Sequence, residues 1–191
     1  MSLGLYLAVL EAFLKGSRLS PQLSTSMNYM HWVSIEDFIR CTDCKEIHGK
    51  IWRASEEPDP EPPLHLNCRC FIRLMETIAA GTATINGTNG ADWTLKYQGT
   101  LPEYYVDKSA AYRLGWKRGK WPSNFLPDGK MITGGIYNND DSHLPQKDGR
   151  IWYEADINYT AGRRNKQRVL WSNDGLIFVT YDHYETFYEI I

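Results

Sequence analysis

The chain of 191 residues has no cysteine after position 70, no apolar run near the ~20 residues of a membrane-spanning helix, and little net charge. With 21 basic and 23 acidic side chains, the formal charge is −2. That balance excludes a global basic field as the means of attracting nucleic acid. Division does not restore one, because residues 101–191 carry equal numbers of basic and acidic side chains. Any contact with RNA or DNA must therefore rest on a local cluster, and no membrane partner is implied. The apolar start, "MSLGLYLAVLEAFLKG", lacks a basic leading region and a small-residue cleavage site, and carries Glu11 inside the run. These absences argue against a secretory signal. The stretch reads as a helix ending near Gly16, the last part of a longer polypeptide or of a cut one, since a lone apolar helix needs a partner. What is present is apolar mass: 42% hydrophobic and 13% aromatic residues give a globular chain of one or two domains.

The chain changes character near residue 77. Upstream, all four cysteines fall between Cys41 and Cys70. The next stretch, "ETIAAGTATINGTNGA", is small, rich in Gly and Thr, and nearly uncharged, which is linker composition. This gives three segments: a cysteine module over 1–77, a linker with a candidate first helix over 78–98, and a second module over 99–191. In the second, "LPEYYVDKSAAYRLGW" reads as a turn and a helix, with Asp107 as N-cap and Gly115 just past the end. Alternating runs follow at 151–159, 168–172, 176–181 and 186–191, with "NDG" at 173–175 as a hairpin turn. Helices first and an antiparallel meander last make the class α+β.

On the 151–159 strand, Trp152, Glu154, Asp156 and Asn158 share one face, the more polar one. The strand after it opens with Arg164 to Arg168, so cations can stand opposite or diagonal to Glu154. Each piece has an ordinary reading. A Glu–Arg pair across two strands is commonly a surface ion pair of ~0–1 kcal/mol. A lone histidine in a turn, such as His183, is commonly solvated.

The strings "LPEYYVDKSAAYRLGW", "GGIYNND", "LPQKDGRIWYEADINYTAGRRNKQRVLWSNDGLI" and "TYDHYETF" change that weighting. Contiguous and in order, they resemble the small secreted microbial ribonucleases typified by barnase and binase, from Leu101 to Ile191. The resemblance implies a ribonuclease fold and a metal-independent cleavage of RNA. It puts Glu154 in the place of the general base and His183 in that of the general acid. Lys108, Arg164 and Arg168 match the cations around the scissile phosphate, and Tyr184 a residue beside the substrate base. Asp156 is expected to hold the fold, and Arg163 and Lys166 to be solvated or to tune substrate attraction. RNA supplies its own nucleophile, the 2′-OH. A carboxylate takes its proton, an imidazolium protonates the departing 5′-oxygen, and fixed cations stabilise the charge that builds on phosphorus. The product is a 2′,3′-cyclic phosphate, and no cofactor is needed. Relatives prefer guanine, read by backbone groups of a loop plus an acidic side chain. The corresponding loop here is "YNNDDSH", with Asn138, Asn139, Asp140 and Asp141 as candidate base contacts. Asp141 replaces the family's glutamate, one methylene shorter. Asp140 stands where the family has arginine, a charge reversal that implies weaker guanine preference. Arg163 replaces an aromatic residue.

The cysteine module offers "CTDC" at 41–44 and "HLNCRC" at 65–70. C-x-x-C followed by H-x-x-C-x-C is a zinc pattern with five candidate ligands, Cys41, Cys44, His65, Cys68 and Cys70, of which a tetrahedral ion takes four. Disulfides and reduced structural thiols stay open. The surrounding text, "HWVSIEDFIRCTDCKEIHGKIW" through "EPPLHLNCRCFIRL", resembles the C-terminal end of phage Mu F-like minor head proteins, over residues 30–75. Leu64 between the prolines and the histidine is a small departure. The two resemblances together imply a prophage-encoded polymorphic toxin. It would be virion-associated or a secreted effector, act in the cytoplasm of a target cell, and touch phage head or portal proteins. An acidic inhibitor would cover Lys108, Arg164, Arg168 and His183 in the producing cell. Two rival readings are a structural head protein whose ribonuclease-like domain has decayed, and a zinc-dependent nuclease using the cysteines. The first is favoured only by Asp140. The second conflicts with the closed sites that Cys-rich sets form.

Overall fold

A computed structural model of the chain describes residues 23–35 and 37–191. The expected helix ending near Gly16 lies outside them. The chain runs through β1 (Leu23–Val33), α1 (Thr42–Ile47), β2 (Ile51–Arg53) and β3 (Phe71–Ile78). It continues through α2 (Ala91–Gln98), β4 (Tyr105–Asp107), α3 (Lys108–Arg113) and β5 (Met131–Tyr137). The remainder is β6 (Trp152–Asp156), β7 (Arg168–Ser172), β8 (Ile177–Thr180) and β9 (Tyr188–Ile190). The described strands form one mixed sheet in the order β2-β1-β3-β9-β8-β7-β6-β5-β4.

The local signals act as their chemistry dictates. Asp107 caps α3, its carboxylate accepting from the Ala110 N–H at 2.6 Å, and Gly115 follows the helix with φ +91°. At the β7–β8 turn Gly175 takes φ +95° and the Ser172 N–H donates to Leu176 O at 2.9 Å. The meander β5 to β9 is antiparallel throughout.

Three features depart from the sequence reading. The described part opens with strands rather than helices, and two strand pairs, β3–β9 and β4–β5, are parallel. The architecture is a mixed α/β one with a large sheet and few helices. The Gly/Thr-rich stretch over 78–90 is fastened rather than free. The buried Asp92 carboxylate accepts from the Gly81 N–H (2.7 Å), the Ala83 N–H (3.0 Å) and the Thr84 hydroxyl (2.7 Å). Tyr181 donates its hydroxyl to Ala83 O at 3.0 Å. Small residues suit this stretch because the chain turns tightly around one carboxylate.

The third departure concerns the face of the sheet. Ala155, Ile157, Val169 and Val179 pack with Ala91 and Leu95 of α2 on one side. Trp152, Leu170 and Phe178 form a second core on the other, and Tyr29, Ile51 and Met75 from β1, β2 and β3 complete it. The face that carries Glu154 is thus covered by the cysteine module along much of its length. At ~1.5–3 kcal/mol for each large apolar side chain fully buried, these three residues join the halves more firmly than rim ion pairs of ~0–1 kcal/mol could.

Candidate active site

Beyond the covered region the Glu154 face opens into a cleft of about 770 Å3. It is lined by Lys108, Glu154, Arg164, Arg168, His183 and Tyr184, together with Asn138 to Asp141. Residues expected from the sequence to act on one phosphate and one base therefore meet in one cavity. Arg163 and Lys166 are exposed and do not line it.

Glu154 sits on β6 where β5 bulges between Thr133 and Gly135. A Cβ on Gly134 would lie 2.1 Å from Glu154 Oε1 and 2.3 Å from its Cγ, so only glycine leaves room for the carboxylate. Gly135 takes φ +80°, the left-handed conformation such a bulge uses. Tyr184 donates its hydroxyl to Glu154 Oε2 at 2.5 Å, and Lys108 Nζ stands 4.0 Å from Oε1. One oxygen is thus held and the other faces a cation.

Asp156, two residues along the same face, is 1% exposed and anchors both arginines. Arg164 donates to it through Nε (2.7 Å) and Nη2 (2.5 Å). Arg168 Nε lies 3.1 Å from Oδ1, an ionic contact without an aligned hydrogen bond. The cross-strand partner of Asp156 is Arg168, whereas Glu154 faces Leu170. Arg168 consequently stands opposite Asp156 and diagonal to the candidate base. Arg168 Nη1 also donates to Asn165 O and Gln167 O, which leaves the guanidinium only 4% exposed as a residue.

The turn after β8 places His183 and Tyr184, both with positive φ (73° and 74°). Asp182 holds that shape. Its Oδ1 accepts from the Thr180 hydroxyl (2.8 Å), the Glu185 N–H (3.1 Å) and the Thr186 N–H (3.0 Å). Burial, followed by the Arg168 and Lys166 charges, holds His183 below the usual imidazole value, with Glu154 opposing. Tyr137 stacks on Tyr184 at 5.3 Å between ring centres.

In the base loop, Asn138, Asp140 and Asp141 are exposed. Asn139 is buried, and its side chain both donates to Leu144 O (2.9 Å) and accepts from the Leu144 N–H (3.0 Å). That side-chain amide closes the loop. Asp141 accepts from the His143 N–H at 3.2 Å. Sequence reasoning passed over Tyr112, Trp116, Arg118, Ile136 and Tyr137, which also line the cleft. The basic pair at 117–118 beyond Gly115 was a usable signal for Arg118; the aromatic residues gave none that separates them from core.

The cysteine cluster lies elsewhere. Cys41 Sγ and Cys44 Sγ stand 3.1 and 3.3 Å from His65 Nε2, and Cys44 Sγ 3.7 Å from Cys68 Sγ. Donor atoms of Cys44, Cys68 and Cys70 lie within 4.8 Å of one another. A tetrahedral ion with Zn–S of ~2.3 Å separates its sulfurs by ~3.8 Å, close to the observed spacing. His65 Nδ1 is 2.9 Å from Leu66 O, a carbonyl that can only accept. The proton therefore sits on Nδ1, and the Nε2 lone pair points at the sulfurs, the arrangement of a metal-ligating imidazole. The four cysteines are unpaired thiols. The donor set fits a zinc ion.

No helix among the described residues is long and apolar enough to cross a membrane. A family model described as ribonuclease matches residues 89–191. A ribonuclease of Bacillus pumilus is 44% identical over 129 residues, 67% of this chain and 78% of the relative. A ribonuclease of Heyndrickxia coagulans is 44% identical over 109 residues, 56% of this chain and 99% of the relative. One of Bacillus intermedius is also 44% identical over 109 residues, covering 67% of the relative.

Proposed function

The chain belongs to the ribonuclease family and is an RNA-cleaving enzyme, and from that premise we propose a guanine-preferring, metal-independent endoribonuclease acting by 2′-oxygen transfer. The observation that carries this reading is the single cleft shared by Glu154, His183 and three cations. Glu154 Oε1 takes the 2′-OH proton, and the 2′-oxygen forms a bond to phosphorus. His183 gives a proton to the 5′-oxygen as its bond to phosphorus breaks. Glu154 and His183 are then each one proton changed, and water opening the 2′,3′-cyclic phosphate restores both. Lys108, Arg164 and Arg168 stabilise the charge that grows on the phosphoryl oxygens. The Arg164 fork is already oriented by Asp156, and the Arg168 guanidinium by the Asn165 and Gln167 carbonyls, so little reorganisation accompanies the step. Tyr184 steadies Glu154 and, with Tyr137, presents an aromatic wall to the base. Asp141 accepts from the guanine N–H edge, weakened by the neighbouring Asp140 charge.

The pH profile tests the acid–base pair. His183 must be protonated to act, and its pKa is held below that of free imidazole, ~6.5. The alkaline limb of kcat/KM therefore begins to fall below that value. Lys166→Glu removes one charge that depresses His183 and adds one that raises it, so the limb moves to higher pH. A limb that does not move in this variant, or cleavage that stops in EDTA without a cyclic phosphate product, counts against the mechanism.

The biological setting is part of the same proposal. The segment over 30–75 is a phage-head-like module holding a structural zinc. The whole is a toxin carried on a virion or secreted into a target cell, where it degrades RNA. An acidic inhibitor protects the producer by filling the cleft against Lys108, Arg164, Arg168 and His183. Its binding should weaken by about 10- to 100-fold between 50 mM and 300 mM salt at the level of association rate. A neighbouring acidic protein that neither binds nor relieves toxicity removes this element.

A further inference from the structure

The cysteine module is hydrogen-bonded to the base loop at two points. The Ile51 N–H donates to His143 O at 2.8 Å. The His143 ring places Nε2 3.0 Å from Glu46 O in α1, so that nitrogen carries a proton and donates it. Its other nitrogen, Nδ1, is buried without an aligned hydrogen-bond partner and lies 3.5 Å from Asp141 Oδ2. The His143 backbone N–H also donates to Asp141 Oδ1 at 3.2 Å, so a continuous line of contacts runs from α1 through His143 to the carboxylate assigned to the base. Beneath it, Leu144 is packed in the same core as Ile51. Next to it, Gly49 approaches the catalytic turn so closely that a Cβ there would meet Glu185 O at 2.5 Å.

Two things fix α1: Ile47 packs against the Trp32–Trp52 core, and the cysteine cluster holds its start. The helix has six residues, and its buried side chain is Cys44. Cys41 caps it, accepting from the Cys44 N–H at 3.4 Å. Helices this short have no stability of their own, because nucleation costs more than one turn of hydrogen bonds returns. Its position depends on how firmly Cys41 and Cys44 are tied to His65 and Cys68.

We propose that the cysteine module is a zinc-dependent brace for the base-binding loop, with His143 as the positioning residue that carries the hold from α1 to Asp141. The proposal rests on the readings that the cluster binds zinc and that Asp141 meets guanine. With the ion in place, Glu46 O stays where the His143 ring needs it, and Asp141 stays aimed into the cleft. Without it, α1 loosens, the ring loses its acceptor, and Asp141 samples other directions. The chemistry at Glu154 and His183 continues, while recognition of guanine weakens.

The experiment uses the full chain as wild type, His143→Ala and His143→Gln. Each is compared zinc-loaded and after chelation, with zinc content measured. Amide hydrogen exchange is followed over 42–47 and 138–144, and kcat and KM are measured on GpA and ApA dinucleotides. In the wild type, one zinc per chain is expected. Its removal should speed exchange in both segments and raise KM for GpA about tenfold, with kcat and the ApA values little changed. His143→Ala should show the loosened 138–144 segment with zinc still bound, and no further change there on chelation. His143→Gln, whose amide N–H can reach Glu46 O, should lie between. The proposal is overturned if no zinc binds, if removal loosens 42–47 alone, or if His143→Ala keeps wild-type exchange and KM. The exchange arm on the wild type stands even where a variant folds poorly. A chain that shows the coupled exchange yet cuts no RNA would uphold the brace and refute the ribonuclease mechanism.

Discussion

Glu154→Gln lowers kcat for RNA cleavage by roughly 10²- to 10⁴-fold, the range that one general base contributes, with KM and melting temperature nearly unchanged. The shape argument makes this variant clean. Glutamine fills the space under Gly134 as glutamate does, and its amide oxygen can still accept from Tyr184. What disappears is the site that takes the 2′-OH proton. The loss of the Lys108 contact matters little to folding, since that pair is 4.0 Å apart and the Lys108 side chain is partly open to water. Single-turnover rates beside a melting curve decide the matter. A variant that stays within threefold of the wild-type rate means another group removes the proton.

Asp156→Ala has the largest expected effect on stability. Its carboxylate is 1% exposed and is shared by Arg164 and by Arg168, itself 4% exposed. Removing the anion strands a buried guanidinium, a change that costs about 3–5 kcal/mol. For a chain of this size each kcal/mol moves the melting temperature by ~2–4 °C, so a fall of roughly 6–20 °C is expected. Activity falls too, because Arg164 loses both bonds that orient it. Adding Arg168→Met to Asp156→Ala should recover part of the stability, since no buried charge then lacks a partner. Thermal melts of the single and double variants test this, and an unchanged single variant would mean that water enters and solvates the arginines.

Strong local signals were readable in the sequence. Asp107 as cap, the "NDG" turn and the strands of the meander follow from side-chain chemistry acting over a few residues. The grouping of the cleft residues came through resemblance, because Lys108 and His183 are too far apart in sequence for spacing to relate them. What could not be read was non-local. Nothing near Glu154 indicates that Tyr29, Ile51 and Met75 cover its face, or that Arg168 pairs with Asp156. The Gly/Thr-rich stretch has linker composition, yet Asp92 beyond it gathers its amides.

The parallel pairing of β3 with β9 joins Thr77 to Glu189 and Ile78 to Ile190. A contact between residues so distant in sequence closes a long loop and therefore forms late. During synthesis on the ribosome the cysteine module and the strand bearing Glu154 emerge first. The turn bearing His183 and the strand that locks it come last. The growing chain thus holds Glu154, Lys108 and both arginines before it holds His183. The completed sheet, and with it the assembled cleft, is a property of the chain only after residue 190 has been added.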